Sequence, residues 1–261
     1  MAISVSMQGM SHASMSFDPA LVALSFIISV FGALSGLLSA RHARRRTGAA
    51  SFAWLAAAAL SIGGGAIWSM HFIGMLAYHT DVHYAFGTGR TLASLVVAVI
   101  ASGTGLYIAS RGRPTLPRYA GAGTVTGLGV GGMHYLGMSA MRMNADLTYR
   151  AGIVALSLVI AVVAASVALF FAFTLTRMWA MVAAAIVMGV AVCGMHYTGM
   201  AAAVVTPRMT DELTAPGGID PLSLALPVFG IASVLLFVLL FVGLFEDADA
   251  TPQPMPMPMP G

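Results

Sequence analysis

Three near-copies of one six-residue string recur along the chain: Met-His-Phe-Ile-Gly-Met at 70–75, Met-His-Tyr-Leu-Gly-Met at 133–138 and Met-His-Tyr-Thr-Gly-Met at 195–200. Each holds an imidazole and a thioether four residues apart: His71 with Met75, His134 with Met138, His196 with Met200. In a helix both members of a pair reach the same face. That is a two-point grip for a soft metal ion. Thioether sulfur favours Cu(I), and imidazole suits copper, zinc, iron and nickel. No Asp or Glu accompanies the motifs at that level, which disfavours calcium and magnesium, ions that want oxygen ligands. Zinc is a poorer match with thioethers as partners, so copper fits best. At low coordination it leaves room for a small molecule such as O₂, CO or NO. The leading methionines, Met70, Met133 and Met195, sit about 100° around the helix from their histidines and are weaker candidates. The competing reading is packing, because most of the nineteen methionines of so apolar a chain fill core gaps. A lone histidine inside a membrane is often just hydrogen-bonded to a neighbour, but intramembrane ionisable groups mark function by default.

The elements that must position these residues are membrane helices. The chain is 59% hydrophobic and 8% charged, where a soluble domain carries about a quarter charged residues. Uncharged runs near 21–40, 50–70, 91–110, 119–141, 151–175, 179–205 and 222–245 each reach the roughly 20 residues that cross ~30 Å of hydrocarbon. Runs this long and without alternation predict seven helices rather than barrel strands. The positive charge is not a nucleic-acid patch, because the arginines sit between spans. Arg41, Arg44, Arg45, Arg46, Arg111, Arg113, Arg118 and Arg177 follow odd-numbered spans, against Arg90, Arg142, Arg150 and Arg208 on the other side. The positive-inside rule then places the N-terminus in the periplasm and the C-terminus in the cytoplasm of an inner-membrane protein. Arg41 to Arg46, with His42, read as anchors for topology and anionic headgroups. The first twenty residues lack a basic region, so no cleaved signal peptide is expected. The single cysteine, Cys193, excludes an internal disulfide and reads as a buried structural thiol.

The motif copies are spaced 63 and then 62 residues apart, the length of two spans with their loops. A glycine precedes each motif by six residues (Gly64, Gly127, Gly189), and an alanine follows each at matching places (Ala77, Ala140, Ala202). The expected architecture is an all-α membrane protein: three tandem parallel two-helix repeats, each ending in a motif helix, plus a seventh helix. The histidines would share one level some 10–15 Å below the outer surface. His79 and His83, flanking Asp81, lie on the first outer loop and read as solvated loop residues. The domain division is a Met- and His-containing periplasmic tail at 1–19, the seven-helix membrane domain at 20–246 and a cytoplasmic Pro-Met tail at 247–261. The first tail (Met1, Met7, Met10, His12, Met15) is a candidate for copper capture, and no output domain is expected after the last helix.

With these residues in view, the chain resembles the bacterial MHYT domain over about residues 20–246, on three correctly spaced motifs. The resemblance implies an integral-membrane sensor module that binds copper through motif His and Met residues. It also implies sensing of oxygen, carbon monoxide or nitric oxide, ahead of diguanylate cyclase, phosphodiesterase or histidine kinase domains. The ligands it implies are His71, His134 and His196 with Met70, Met133 and Met195, and alongside them Met75, Met138 and Met200. Two departures stand out. Thr198 is matched by Ile73 and Leu136 in the other copies, and Phe72 replaces the first tyrosine.

The expected function is therefore a copper-binding membrane sensor that responds to a diatomic gas or to copper and signals to a separate cytoplasmic partner. One alternative is copper handling for a copper-requiring membrane enzyme such as a respiratory oxidase. A second is a haem protein, since histidines on facing helices are a familiar axial pair. An enzyme is not expected, because no nucleophile–base or carboxylate pair lies at the motif level.

Overall fold

The computed structural model describes residues 16–79, 83–112, 114–207 and 217–248. The methionines of the first fifteen residues with His12, together with Asp81, Arg113, Arg208 and the Pro-Met tail, lie outside the described residues. Seven helices follow in order: α1 Pro19–Arg44, α2 Gly48–Leu76, α3 Thr88–Ser110, α4 Leu116–Met138, α5 Ala151–Thr174, α6 Met178–Ala202 and α7 Pro221–Ala248. Six are long and apolar enough to cross a membrane; α4 matches them in length but carries seven glycines and is less apolar. The outward faces of the helices are apolar, with Ile100, Val159, Val190, Ile231 and Phe237 more than half exposed. A helical face of that kind is stable against lipid and not against water. The chain is a multi-pass, all-α membrane protein.

Helix starts are set by local chemistry. Asp18 caps α1 by accepting from the N–H groups of Ala20 (2.8 Å) and Leu21 (3.1 Å), with Pro19 in the first turn. Asp220 does the same for α7, accepting from Leu222 and Ser223 at 3.1 Å each. The middle of α2, Leu60–Ser69, is π-helical and spans the Gly63-Gly64-Gly65 run, where Ser69 Oγ donates to the Gly64 carbonyl at 2.8 Å. Such widened turns are rare and tend to mark functional sites.

Three short ribbons, which hydropathy did not reveal, cap one end of the bundle. Strand β1 (Ser16–Phe17) pairs with β2 (Tyr78–His79), β3 (Tyr84–Phe86) with β4 (Met141–Met143), and β5 (Ala145–Tyr149) with β6 (Ala203–Pro207), all antiparallel. The described elements therefore repeat three times as strand–helix–helix–strand. The ribbons correct two expected boundaries: the runs drawn to 141 and 205 leave the helix at Met138 and Ala202. The reason is a repeated backbone bond. The carbonyls of Ala77, Ala140 and Ala202 accept from the N–H groups of Asp18 (2.8 Å), Gly87 (2.8 Å) and Arg150 (2.9 Å). Each bond draws the chain out of its helix into a ribbon.

Successive helices pack side by side, and α6 packs back on α1, closing a ring of six with α7 against α1 and α2. Close approach is built on small residues. A Cβ on Gly63 would stand 2.6 Å from the Ala98 carbonyl of α3, and one on Gly127 would stand 2.5 Å from Val162 Cα of α5. Arg41 and His42 depart from the headgroup role read in the sequence. Both are buried, with Arg41 Nη1 3.1 Å from the Thr176 carbonyl and His42 Nε2 2.8 Å from that of Gly243. Thr176 lies just past the end of α5, where carbonyls lack a helical donor, and the Arg41 side chain supplies one.

Candidate metal centre

The three motif helices α2, α4 and α6 bring His71, His134 and His196 to one point. Each is 1% exposed or less. Nδ1 of His71 lies 3.0 Å from Nδ1 of His196 and 3.2 Å from Nδ1 of His134. The rings meet edge to face, with centroids 4.9, 5.0 and 5.3 Å apart. The shared level expected from the repeat spacing is the level observed.

The motif glycine explains how three rings fit there. A Cβ on Gly137 would strike the His71 imidazole, one on Gly199 would strike His134, and one on Gly74 would strike His196. Each histidine thus lies in the notch left by the glycine of the next copy around the ring, and the third lies against the first. The string Met-His-x-x-Gly-Met encodes both halves of this interlock.

Three neutral imidazoles cannot satisfy one another in this geometry. Each offers one donor and one acceptor. The Nδ1 atoms crowd together, while all three Nε2 atoms are buried with no hydrogen-bond partner among the described residues. A buried polar atom left unpaired costs about 1–3 kcal/mol. The three can hold a metal ion, their ligand atoms lying within 4.8 Å of one another. A trigonal or tetrahedral ion at 2.0–2.1 Å from nitrogen needs nitrogens roughly 3.3–3.6 Å apart. The two measured spacings are within a few tenths of an ångström of that. A tripodal site would take the three Nδ1 lone pairs at the crowded centre and leave the ring proton on each buried Nε2.

All six motif methionines are buried, and they divide between levels. Met138 and Met200 line a small cavity between the helix ends and the ribbons, together with Met141, Met143 and Tyr78. Met195 instead lines a second, apolar cavity of about 60 Å³ on the other side of the histidines. Ile67, Val130 and Val192, each four residues before its histidine, line it too. Met70, Met75 and Met133 lie in the packed core. His79 and His83 are exposed and stand apart from the triad, and Cys193 is a free, half-buried thiol.

Comparison with known proteins identifies the family that carries this repeated motif. A family model described as a bacterial signalling protein N-terminal repeat, MHYT, matches residues 64–122 and 127–185. The chain belongs to the MHYT family. The bifunctional diguanylate cyclase/cyclic di-GMP phosphodiesterase MucR of Pseudomonas aeruginosa is 36% identical over 236 residues, covering 88% of this chain and 34% of that protein. The signaling protein YkoW of Bacillus subtilis is 33% identical, covering 72% of this chain and 24% of its own length. The cyclic di-GMP phosphodiesterase NbdA of P. aeruginosa is also 33% identical, covering 80% of this chain and 27% of that protein. The chain thus spans 24–34% of the length of these relatives. No solved structure matches it.

The tyrosine of the MHYT motif turns away from the centre toward a neighbouring helix. Tyr135 Oη lies 2.7 Å from Ser157 Oγ of α5, and Tyr197 Oη lies 3.1 Å from Ser25 Oγ of α1. The first MHYT copy has Phe72, and there Ser94 Oγ of α3 takes the indole N–H of Trp68 at 3.0 Å. Trp68 supplies the donor that Phe72 lacks. Sequence reasoning missed these serines and also Met141 and Met143. The signals were there: Ser94 and Ser157 keep the 63-residue period, and Met-Arg-Met in a strand puts both sulfurs on one face.

Proposed function

We propose that this chain is a membrane-embedded sensor module that holds copper at His71, His134 and His196 and reports a diatomic gas, or copper itself, to a cyclic di-GMP signalling output. The observation that carries the reading is the convergence of three buried Nδ1 atoms at the crossing of three helices. The donor set fits copper. Three imidazoles supply the base of the site, and the thioethers of Met75, Met138 and Met200, one turn beyond, are soft donors of the kind Cu(I) prefers. Met70, Met133 and Met195 complete the sulfur-rich surroundings. Copper held by His71, His134 and His196 would supply the chemistry to bind O₂, CO or NO.

The protein's own part is to fix the rings and exclude water. The glycine notches orient the imidazoles, and the aromatic–serine bonds hold each motif helix against its neighbour. The apolar cavity under the triad offers a small uncharged molecule a dry place beside the histidines. Because the triad belongs to three helices at once, a change in its ligation bears on all three crossings. That is the element through which a ligand preferring one helix arrangement shifts the balance between two. With the arginine loops in the cytoplasm, the triad lies toward the periplasm and the output receives the shift at the arginine end. Two of the relatives named above, MucR and NbdA, make or break cyclic di-GMP by name, and YkoW is named a signaling protein, which sets the signalling class proposed for this chain. The chain itself acts as receptor, not as the catalyst.

The haem alternative does not fit, since nitrogens 3.0–3.2 Å apart leave no gap for a macrocycle between them. Copper handling is the second reading, favoured by the four methionines around the cavity beneath the ribbons. The two separate in one experiment on Cu(I)-loaded protein. A C–O stretch in the infrared on adding carbon monoxide, lost in His134→Ala, is the sensor result. Rapid copper transfer to an external chelator with no carbonyl band is the handling result and overturns gas sensing.

A further inference from the structure

The end of the bundle opposite the histidines holds a different site. A cavity of about 590 Å³ lies between the α1–α2 and α3–α4 turns, within the range of small-ligand pockets. Arg44, Arg46 and Arg111 line it, and no acidic residue does among the described residues. Gly112, in the left-handed region at φ +70°, forms part of the wall, and the Arg118 guanidinium packs on it so closely that a Cβ there would lie 2.6 Å from Nη1. Two polar groups at this wall are buried without a hydrogen-bond partner among the described residues: Nη1 of Arg118 and Oη of Tyr119, the latter residue 3% exposed and lining the cavity. Helix α2 begins here, with Gly48 in the lining and Thr47 making no side-chain capping bond, so its first N–H groups add positive potential. Phe52, Leu55 and Phe173 make the remaining wall apolar.

Several arginines, a helix N-terminus, an unpaired phenol and no carboxylate are chemistry for an anion. Guanidinium forks match phosphate oxygens two at a time. We propose that this cavity binds a phosphoryl group, carried either by an anionic lipid headgroup or by a soluble phosphate compound. The apolar wall beside the arginines accommodates the start of an acyl chain in the first case. The inference is independent of the copper reading, because none of the lining residues belongs to the histidine end.

The test uses the full chain in an uncharged detergent, titrated with short-chain phosphatidylglycerol, short-chain phosphatidylcholine and inorganic phosphate by calorimetry. The expected result is saturable binding of phosphatidylglycerol about tenfold tighter than phosphatidylcholine. Arg111→Gln, whose side chain stacks on Tyr107 at 4.5 Å, is expected to weaken it about tenfold, and Tyr119→Phe by a few-fold. Arg177→Gln, at the α6 start and outside the cavity, should change nothing. Arg111→Lys keeps the charge and loses the fork, and should fall between wild type and Arg111→Gln. If inorganic phosphate displaces the lipid at comparable affinity, the source is soluble and the proposal stands in that form; if it does not compete, the source is the headgroup. Absence of saturable binding by either anion would overturn the proposal. Equal losses in Arg177→Gln and Arg111→Gln would overturn it too, leaving only general surface charge.

Discussion

At one end of the helix ring three imidazoles are sealed at 1% exposure or less, each ring locked into a glycine notch and each helix tied off by a ribbon. At the other end arginines line an open cavity of about 590 Å³. The same helices build both ends, so the difference lies in the residues placed at them. Tight interlock suits a site that must hold nitrogens to a few tenths of an ångström; an open cationic cavity suits exchange with a charged group. The contrast predicts that the two ends respond separately to substitution, the histidine end chiefly through packing.

The largest effect expected comes from the notches. Gly137→Val forces a branched side chain into the space of the His71 ring, and overpacking of this kind costs about 1–3 kcal/mol. Thermal unfolding in detergent should show that loss together with loss of metal, whereas Gly132→Ala, with open space at its Cβ, should stay near wild type. Equal tolerance of both would break the interlock.

Next come the outward bonds, which set the first motif copy apart from the other two. Tyr135→Phe and Tyr197→Phe should each cost about 1 kcal/mol. Phe72→Tyr should recover nothing, because Ser94 is already held by Trp68, and Trp68→Phe should cost about as much as either tyrosine change. Stability gained by Phe72→Tyr would contradict this account of the first copy. At the arginine end, Arg111→Gln should leave copper content at the wild-type level, and a fall in copper would show that the two ends are not separate.

An effect confined to alkaline solution is one of pH. Tyr84 Oη lies 3.3 Å from the Met75 carbonyl and 3.4 Å from that of Tyr78, pinning the end of α2 to its ribbon. Burial, with Tyr78 and Asp220 nearby, pushes its phenol up to about 12. The native state therefore keeps this proton more tightly than the unfolded chain, whose tyrosine titrates near ~10. The stabilisation is complete below that value and is lost as pH rises through about 12. Melting temperatures of wild type across that window should fall more steeply than those of Tyr84→Phe.

Much of this was legible in the residues. Apolar runs located seven helices, and a 63-residue period with histidines at equivalent places put the imidazoles at one level. The ribbons were not legible, because strands such as Ser16–Phe17 and Tyr78–His79 are two residues long and carry no period-two pattern. Gly74, Gly137 and Gly199 were visible as repeated letters, yet their use depends on the cyclic order of three helices, which hydropathy does not contain. The inward turn of Arg41 was hidden for a similar reason: its partner, the Thr176 carbonyl, is 135 residues away. The methionines divide the same way. Helical spacing placed Met75, Met138 and Met200 above the histidines, while Met141 and Met143 join Met138 and Met200 only through the fold.

The central claim is that three Nδ1 atoms share one metal ion. Metal analysis of anaerobically purified protein, wild type beside the triple His71/His134/His196→Ala variant, tests it most directly. The account predicts copper near one equivalent per chain in wild type and none in the variant, with each single histidine variant strongly depleted. Wild-type protein that stays free of copper after reconstitution, or a triple variant that retains it, would contradict the account.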